Sequence, residues 1–306
     1  MPTLLCTVII LTFNEQRHIA RAILSVAEFS SKVVVVDSGS TDQTVSIAES
    51  LGATVLFNPF RNQAQQFQWA LDNAPIASDW IMRLDADEIV EPDLAREISA
   101  ELPRLPQEIV GVNLRRKHVF MGRFIRHGGR YPLVLLRIWR RGHGRLEQRW
   151  MDEHVIVWGG GTVTFKGGFA DWNLNDLSYF IDKHNKYATR EAVDVLNSRY
   201  RFFPLEPDLA PGSASWQAVT KRWLKNRVYN PLPFWLGPLL YFLHRYFFRL
   251  GILDGREGLI YHVLQGFWYR FLVGAKVIEY EEILSNCESN TEKIQALERI
   301  TGLSLR

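Results

Sequence analysis

Over the first hundred residues the apolar positions follow two alternating patterns. Leu4 to Thr12 is an unbroken, β-branched-rich apolar run, as a strand buried on both faces requires. From about Glu15 to Ala27, the apolar residues Ile19, Ala22, Ile23 and Val26 recur at helical spacing. Lys32 to Val36 predicts a second buried strand. The polar cluster Asp37-Ser38-Gly39-Ser40-Thr41-Asp42 then predicts a turn that starts a helix over Thr44 to Leu51. Further strands are expected at Thr54 to Phe57 and Trp80 to Leu84, with a helix at Phe67 to Asn73 between them. This alternation predicts an α/β fold with a parallel sheet covered by helices, in which ligands sit beyond the carboxyl ends of the strands. Asn14, Asp37 and Asp85 fall at those ends.

After Pro92 the pattern changes. A helix is expected from about Asp93 to Glu101, a strand near Ile109 to Arg115, and short β structure over Val155 to Phe169. The stretch Arg123 to Arg149 reads as basic and glycine-containing. Leu177 to Leu196 predicts a helix with Lys183, Lys186 and Arg190 at three- and four-residue spacing, and Ser289 to Leu305 a polar amphipathic one. No internal repeat or low-complexity tract is visible.

Charge divides the chain more sharply than its net +3 implies. Residues 1–110 carry 7 basic and 15 acidic side chains, whereas residues 111–306 carry 29 and 18. The rear is therefore suited to something anionic: a phosphorylated substrate, a membrane surface or nucleic acid. Tyr200 to Tyr280 holds 19 of the 38 aromatic residues, interleaved with Lys221, Arg222, Lys225, Arg227, Arg245, Arg249, Arg256 and Arg270. Two readings of this region stay open, contact with the membrane interface and packing of a helical subdomain or homo-oligomer interface. The longest stretch without Lys, Arg, Asp or Glu, Val228 to His244, has 17 residues and three prolines, short and broken for a spanning helix. No basic region precedes the first apolar run, so no signal peptide is expected. Cys6 and Cys287 match no zinc spacing and make no disulfide framework, which points to a reducing compartment. The acidic front and the prolines of the aromatic region argue against a nucleic-acid binder.

The most informative stretch is Arg83-Leu84-Asp85-Ala86-Asp87-Glu88. Two carboxylates one residue apart at a strand end can hold a divalent cation on oxygen ligands, bridging a substrate's phosphates. Alone such a triplet is a common solvated turn. Its place at the mouth of a parallel sheet, beside the second acidic turn Asp37 to Asp42, favours the site.

The runs TVIILTFNE, VVVVDSGSTDQT and WIMRLDADE resemble, in order and spacing, the nucleotide-sugar-binding half of family 2 glycosyltransferases. The resemblance continues through RFIRHGGRYPLVLLRIWRRG, MDEHVIV and FIDKHNKYATREA to LGILDGREGLIYHVLQGFWYRF, stretches similar to the branch that builds bacterial lipopolysaccharide cores and exopolysaccharide units. It implies a GT-A fold, a Rossmann-like, mainly parallel sheet flanked by helices. That domain would span 1–196, as a nucleotide-sugar half (1–110) and an acceptor half (111–196), with an aromatic-rich helical extension over 197–306. It also implies that Asp37 contacts the nucleoside, usually of a UDP-sugar, with Thr12, Asn14 and Glu15 lining the pocket and Arg61 and Gln66 flanking the base. Asp85 would reach the ribose or the metal's water shell, and Asp87 would ligate Mg2+ or Mn2+.

An inverting transfer needs a base for the acceptor hydroxyl. Similar enzymes use a carboxylate of a downstream acidic pair, which here is Asp152-Glu153, with Glu153 favoured as base over Asp152; a surface acidic pair among arginines is the plain alternative. His154 is a weaker candidate for metal or diphosphate contact. Arg126-His127-Gly128-Gly129-Arg130 could grip phosphate or acceptor, or be a basic loop facing lipid headgroups. Lys183, His184 and Tyr187 match a helix motif of the branch, for acceptor binding or packing. Where many relatives acting on lipopolysaccharide cores have a histidine before this helix, the chain has Asp171-Trp172-Asn173, which favours another acceptor such as a lipid-linked oligosaccharide. The implied enzyme is peripheral on the inner face of the bacterial cytoplasmic membrane and takes a nucleotide-sugar donor and a lipid-linked saccharide acceptor. A polyprenyl-phosphate sugar synthase and a non-catalytic nucleotide-sugar-binding scaffold are the alternatives.

Overall fold

The structure, a computed structural model, describes residues 6–147, 154–202 and 233–305. Asp152 and Glu153, and Lys221, Arg222, Lys225 and Arg227, lie outside the described residues. The chain divides into two compact units between Leu174 and Asn175; the boundary at 196 is the one the family resemblance implies.

In the first unit β1 (Cys6–Thr12), β2 (Ser30–Asp37), β3 (Thr54–Phe57) and β4 (Trp80–Asp85) are parallel, in the order β3-β2-β1-β4. They alternate with α1 (Ile19–Ser25), α2 (Thr44–Ser50) and α3 (Gln63–Asn73). The continuous apolar runs serve two cores at once. Val8 and Ile10 of β1 pack into one cluster with Ile19, Ala22 and Ile23 of α1, while Ile9 packs into another with Val34, Val36 and Phe67. Register puts Thr12 opposite Asp37 and Leu11 opposite Asp85, so the carboxyl ends of β2, β1 and β4 come level at one edge.

Beyond β4 the sheet is mixed. It runs on as β8 (Leu133–Arg140), β6 (Ile109–Phe120), β11 (Gly161–Trp172) and β5 (Glu88–Val90), with the two-residue β7 (Arg123–Phe124) paired to β6. β8 is antiparallel to both β4 and β6, whereas β6 and β11 are parallel. α4 (Pro92–Glu101) packs its Leu94, Ala95 and Ile98 on the core. β9 (Gly144–Leu146) and β10 (Val155–Val157) make a separate hairpin.

The strand β8 lies in the stretch whose basic character hid it. Its arginines are accommodated rather than excluded. Arg137 is buried against carboxylates, and Arg140 stacks over Trp80 at 4.4 Å while donating to the Ile109 carbonyl at 2.9 Å.

The second unit is helical: α5 (Leu177–Tyr200), α6 (Leu236–Leu243), α7 (Gly255–Tyr261), α8 (Tyr269–Leu284) and α9 (Asn290–Thr301). Asp176 and Ser289 cap α5 and α9 by accepting from the Tyr179 and Glu292 amides. Ala192, Val193 and Leu196 of α5 share a core with Val277, Tyr280 and Leu297. π-helical turns at His244–Phe248 and His262–Trp268 extend α6 and α7. Among the described residues, no helix is long and apolar enough to cross a membrane.

Candidate active site at the strand ends

The turn after β2 is organised by Asp37. Its Oδ2 accepts from the Gly39 and Ser40 amides, both at 2.8 Å, and its Oδ1 from Ser40 Oγ at 2.5 Å and Thr12 Oγ1 at 3.2 Å. The side chain is 4% exposed, so these bonds are made out of bulk water and bind the ends of β1 and β2 together. Asn14 fixes the facing loop. It sits at φ 56°, a left-handed conformation that asparagine tolerates. Its Oδ1 accepts from the Thr41 amide at 2.8 Å, and its own amide donates to Ser40 Oγ at 2.9 Å. Gln66 closes the other side: it is buried, and its Nε2 donates to the Asn58 carbonyl (2.8 Å) and Ser38 Oγ (3.2 Å). Asp37 and Gln66 therefore hold the turn after β2 from both sides. Arg61, ahead of α3, is exposed.

Glu15 belongs to a relay that the strand pattern did not reveal. The Leu174 amide donates to His18 Nε2 at 2.8 Å, so the ring's proton lies on Nδ1, which points at Glu15 Oε2 2.5 Å away. His18 is buried, and the contact ties the loop after β1 to the end of the first unit.

Asp85 and Asp87 have different surroundings. Arg83 Nε donates to Asp85 Oδ1 at 3.2 Å and Arg137 Nη2 to Oδ2 at 3.1 Å. Arg137 also donates to Glu88 Oε1 at 2.6 Å, and Glu88 Oε2 accepts from the Asp85 amide at 3.0 Å. Arg116 extends the line, its Nη1 lying 3.4 Å from Glu88 Oε1 and 3.7 Å from Asp171 Oδ2, and His118 Nδ1 lies 3.1 Å from that same oxygen. Charges of alternating sign thus cross the sheet from β4 to β11. Burial alone would raise both carboxyls. At Asp85 the guanidiniums of Arg83 and Arg137 outweigh it and hold the carboxyl well below the usual range. At Glu88 burial prevails over Arg137, with the Asp85 charge adding to it, and the carboxyl is pushed up.

Asp87 is half-buried, and Asn173 Nδ2 donates to its Oδ2 at 3.0 Å. The Trp172 amide donates to the Asp87 carbonyl at 3.0 Å. Arg21, whose guanidinium donates to the Trp172 carbonyl at 2.7 Å and lies over the Trp172 ring, is close enough to Asp87 to feel its charge. Trp172 and Asn173 therefore pack directly against Asp87.

Among the described residues, no three His, Cys, Asp or Glu side chains come together as a ready-made metal cage. Carboxylate oxygens such as those of Asp85 and Asp87 are the donor type that a hard divalent cation takes together with phosphate and water oxygens, and both Asp85 oxygens already accept from guanidiniums.

The remaining candidates are spread more widely. Arg126 is exposed and the Arg130 amide closes a turn onto the His127 carbonyl at 3.3 Å. His154, largely exposed, pairs with Glu147 at 3.5 Å on the β9–β10 hairpin. Lys183 belongs to the second unit, 6.0 Å from the Tyr179 ring centroid. His184 stacks on Phe180 (3.8 Å) and meets Tyr187 and Tyr269 edge-on. Arg83, Arg137, Arg116 and Glu88 were missed from sequence. Their signal was present: a charged residue inside an apolar strand run, as in WIMRLD and LVLLRIWR, has to find a buried partner.

Residues 7–172 match the model of glycosyl transferase family 2. The chain is similar to the lipopolysaccharide core biosynthesis glycosyltransferase LpsC of Rhizobium meliloti (strain 1021), 28% identical over 91% of this chain and 94% of that protein. An uncharacterized glycosyltransferase of Rickettsia felis is 46% identical over 89 residues, 29% of this chain and 31% of its own length. Among solved structures, glucosyl-3-phosphoglycerate synthase from Mycobacterium tuberculosis, in complex with Mn2+, UDP and glucosyl-3-phosphoglycerate, is 24% identical, with a TM-score of 0.31 over 37% of this chain and 44% of that one.

Proposed function

The chain belongs to glycosyl transferase family 2, and on that premise we propose an inverting, metal-dependent transfer of a sugar from a nucleotide sugar, UDP-linked, to a lipid-linked saccharide acceptor in bacterial lipopolysaccharide or surface-polysaccharide synthesis. The observation that carries this reading is that Asp37 and Asp85 end β2 and β4 level with each other on either side of β1, with Asp87 in the turn two residues beyond β4. The turn held by Asp37, with Thr12, Asn14, Glu15, Arg61 and Gln66, receives the nucleoside. Asp87, steadied by Asn173, and Asp85, held ionised by Arg83 and Arg137, face the diphosphate and ribose. A bound Mg2+ or Mn2+ on these carboxylates would neutralise the charge on the departing nucleoside diphosphate.

Glu153, or its neighbour Asp152, takes the acceptor's proton. The acceptor oxygen bonds to the anomeric carbon as that carbon's bond to the diphosphate oxygen breaks. The electron pair leaves with the nucleoside diphosphate, and configuration inverts. Arg126, His127, Arg130, His154 and Lys183 are the reserve of cationic or neutral groups for acceptor or phosphate. Similarity to LpsC across most of both chains supports a lipopolysaccharide-type acceptor. The apolar and cationic surface of the second unit supports attachment to the inner face of the cytoplasmic membrane.

Calorimetric titration with a panel of UDP-sugars tests the donor half of this reading. Binding of one of them with Mn2+ present, weakened at least tenfold by EDTA, is the expected result. Absence of binding to every UDP-sugar of the panel would refute it.

A further inference from the structure

From the end of the π-helical turn His244–Phe248 to the start of α7 the chain presents a run of apolar side chains to water. Phe247 is 51% exposed, Phe248 80%, Leu250 52%, Ile252 47% and Leu253 57%. Taking about 200 Å² for a phenylalanine side chain and somewhat less for leucine, they leave roughly 500 Å² of apolar surface within seven residues. Single exposed leucines are ordinary, whereas this much within seven residues matches the largest apolar patch of a typical monomer, which is often a functional surface.

The turn is held in shape from beneath. Leu250 sits at φ 60°, a conformation that a leucine adopts at a cost and only where its surroundings fix it. Gly251 is packed so closely that a Cβ there would lie 2.6 Å from His262 Nε2. Asp254 and His262 are buried below it, 3.9 Å apart, and buried Arg245 donates to Gln265 Oε1. A polar layer inside and an apolar rim outside invert the usual arrangement, so the rim cannot turn inward without burying itself against charges.

The exposed charged side chains at the rim are arginines. Arg249 is exposed and the Arg256 side chain is 81% exposed, whereas Asp254 is buried and Glu257, 17% exposed, pairs with Arg256 at 3.1 Å. We propose that residues 247–253 insert into the headgroup layer of an anionic membrane, with Arg249 and Arg256 meeting lipid phosphates. The inference rests on the membrane-surface reading above and names the element that makes the contact. Apolar side chains flanked by arginines suit such an interface. The patch falls short of the roughly 800 Å² per partner that a stable protein interface buries, which argues against a second copy as its occupant.

Flotation with phosphatidylcholine vesicles, with and without phosphatidylglycerol, tests this on the full chain. The wild type should float with anionic vesicles, and Phe247→Ser/Phe248→Ser should lose at least tenfold in partitioning. Arg249→Gln/Arg256→Gln should lose affinity for anionic vesicles alone. Calorimetric UDP-sugar binding should be unchanged in both, which certifies their folding and keeps the test apart from catalysis. A second probe avoids deleting the aromatic rings together: an environment-sensitive fluorophore on Phe248→Cys, in a Cys287→Ser background, should shift to the blue on adding anionic vesicles. If the wild type floats and the serine variant floats equally, or the fluorophore does not shift, the turn is not the contact although the membrane reading stands. If the wild type never floats, both fall. A wild-type dimer that the serine variant converts to monomer would assign the turn to self-association instead.

Discussion

Replacing Arg137 by methionine removes the cation that joins Asp85 to Glu88 while keeping much of its apolar stem. Arg137 and Glu88 have side chains 5% and 1% exposed, with 2.6 Å between Nη2 and Oε1, and Asp85 lies 3.1 Å away. Breaking a buried pair from one side costs about 3–5 kcal/mol, because the remaining charge is stranded. Arg83 still serves Asp85 and Arg116 still lies 3.4 Å from Glu88, which places the expected loss near the lower bound, about 3 kcal/mol. For a unit of this size that is a fall of roughly 6–12 °C in the midpoint of the first unit's thermal transition.

The loss depends on pH, and the two carboxyls pull in opposite directions. Asp85 is held low, so its contribution is present above the ordinary aspartate range and disappears as pH falls through its depressed value. Glu88 is raised, so the folded chain holds its proton more tightly than the unfolded one, and stability falls as pH rises through that raised value. Without Arg137, Glu88 rises further and can neutralise itself in acid. The Arg137→Met deficit should therefore be larger at about pH 8 than at about pH 5. Urea unfolding of Arg137→Met, Glu88→Gln and the double variant makes a cycle with an expected coupling of about 1–3 kcal/mol. Strict additivity, or a loss under about 1 kcal/mol independent of pH, would refute the claim that these charges form one buried network.

Three other expectations concern the site. Asp37→Ala removes the acceptor of four hydrogen bonds, two of them from backbone amides; it should cost about 2–4 kcal/mol in urea unfolding and abolish UDP-sugar binding in calorimetry. Asn173→Ala loses the contact to Asp87 Oδ2 and should weaken metal-dependent donor hydrolysis about 10–100-fold, as outer-sphere partners of metal sites do, with little change in melting temperature. Glu153→Gln should lower sugar transfer roughly a hundredfold or more while leaving donor affinity intact; near-wild-type transfer would point instead to a phosphate acceptor that needs no base.

The parallel half of the sheet was legible because its strands are buried on both faces. Valine and isoleucine runs such as those of β1 and β2 have no other way to hide both sets of side chains. Asp37, Asp85 and Asp87 were legible for the same reason, since a polar cluster that ends such a run must fall at the sheet's edge. The strand β8 was obscured because a buried arginine looks like a surface one until its partner is known. Glu88 on β5 and Arg137 on β8, 49 positions apart in sequence, meet only once β8, β6, β11 and β5 are laid side by side in the folded sheet. The role of Asn173 was hidden likewise: an amide reads as a departure from a histidine pattern until β11 brings it to Asp87. Asp152-Glu153, the expected base, rests on sequence alone. The π-helical turns and the exposed rim at 247–253, which lie beside the close approach of Gly251 to His262 and Arg245, follow no periodicity in the sequence.

The most direct test of the account is UDP release from UDP-sugars without acceptor, with Mn2+ or Mg2+ and with EDTA, on wild type and Asp87→Ala. The account predicts release from one sugar that requires the metal and falls roughly a hundredfold or more in the variant. Release that continues at the wild-type rate in EDTA or in Asp87→Ala would contradict it.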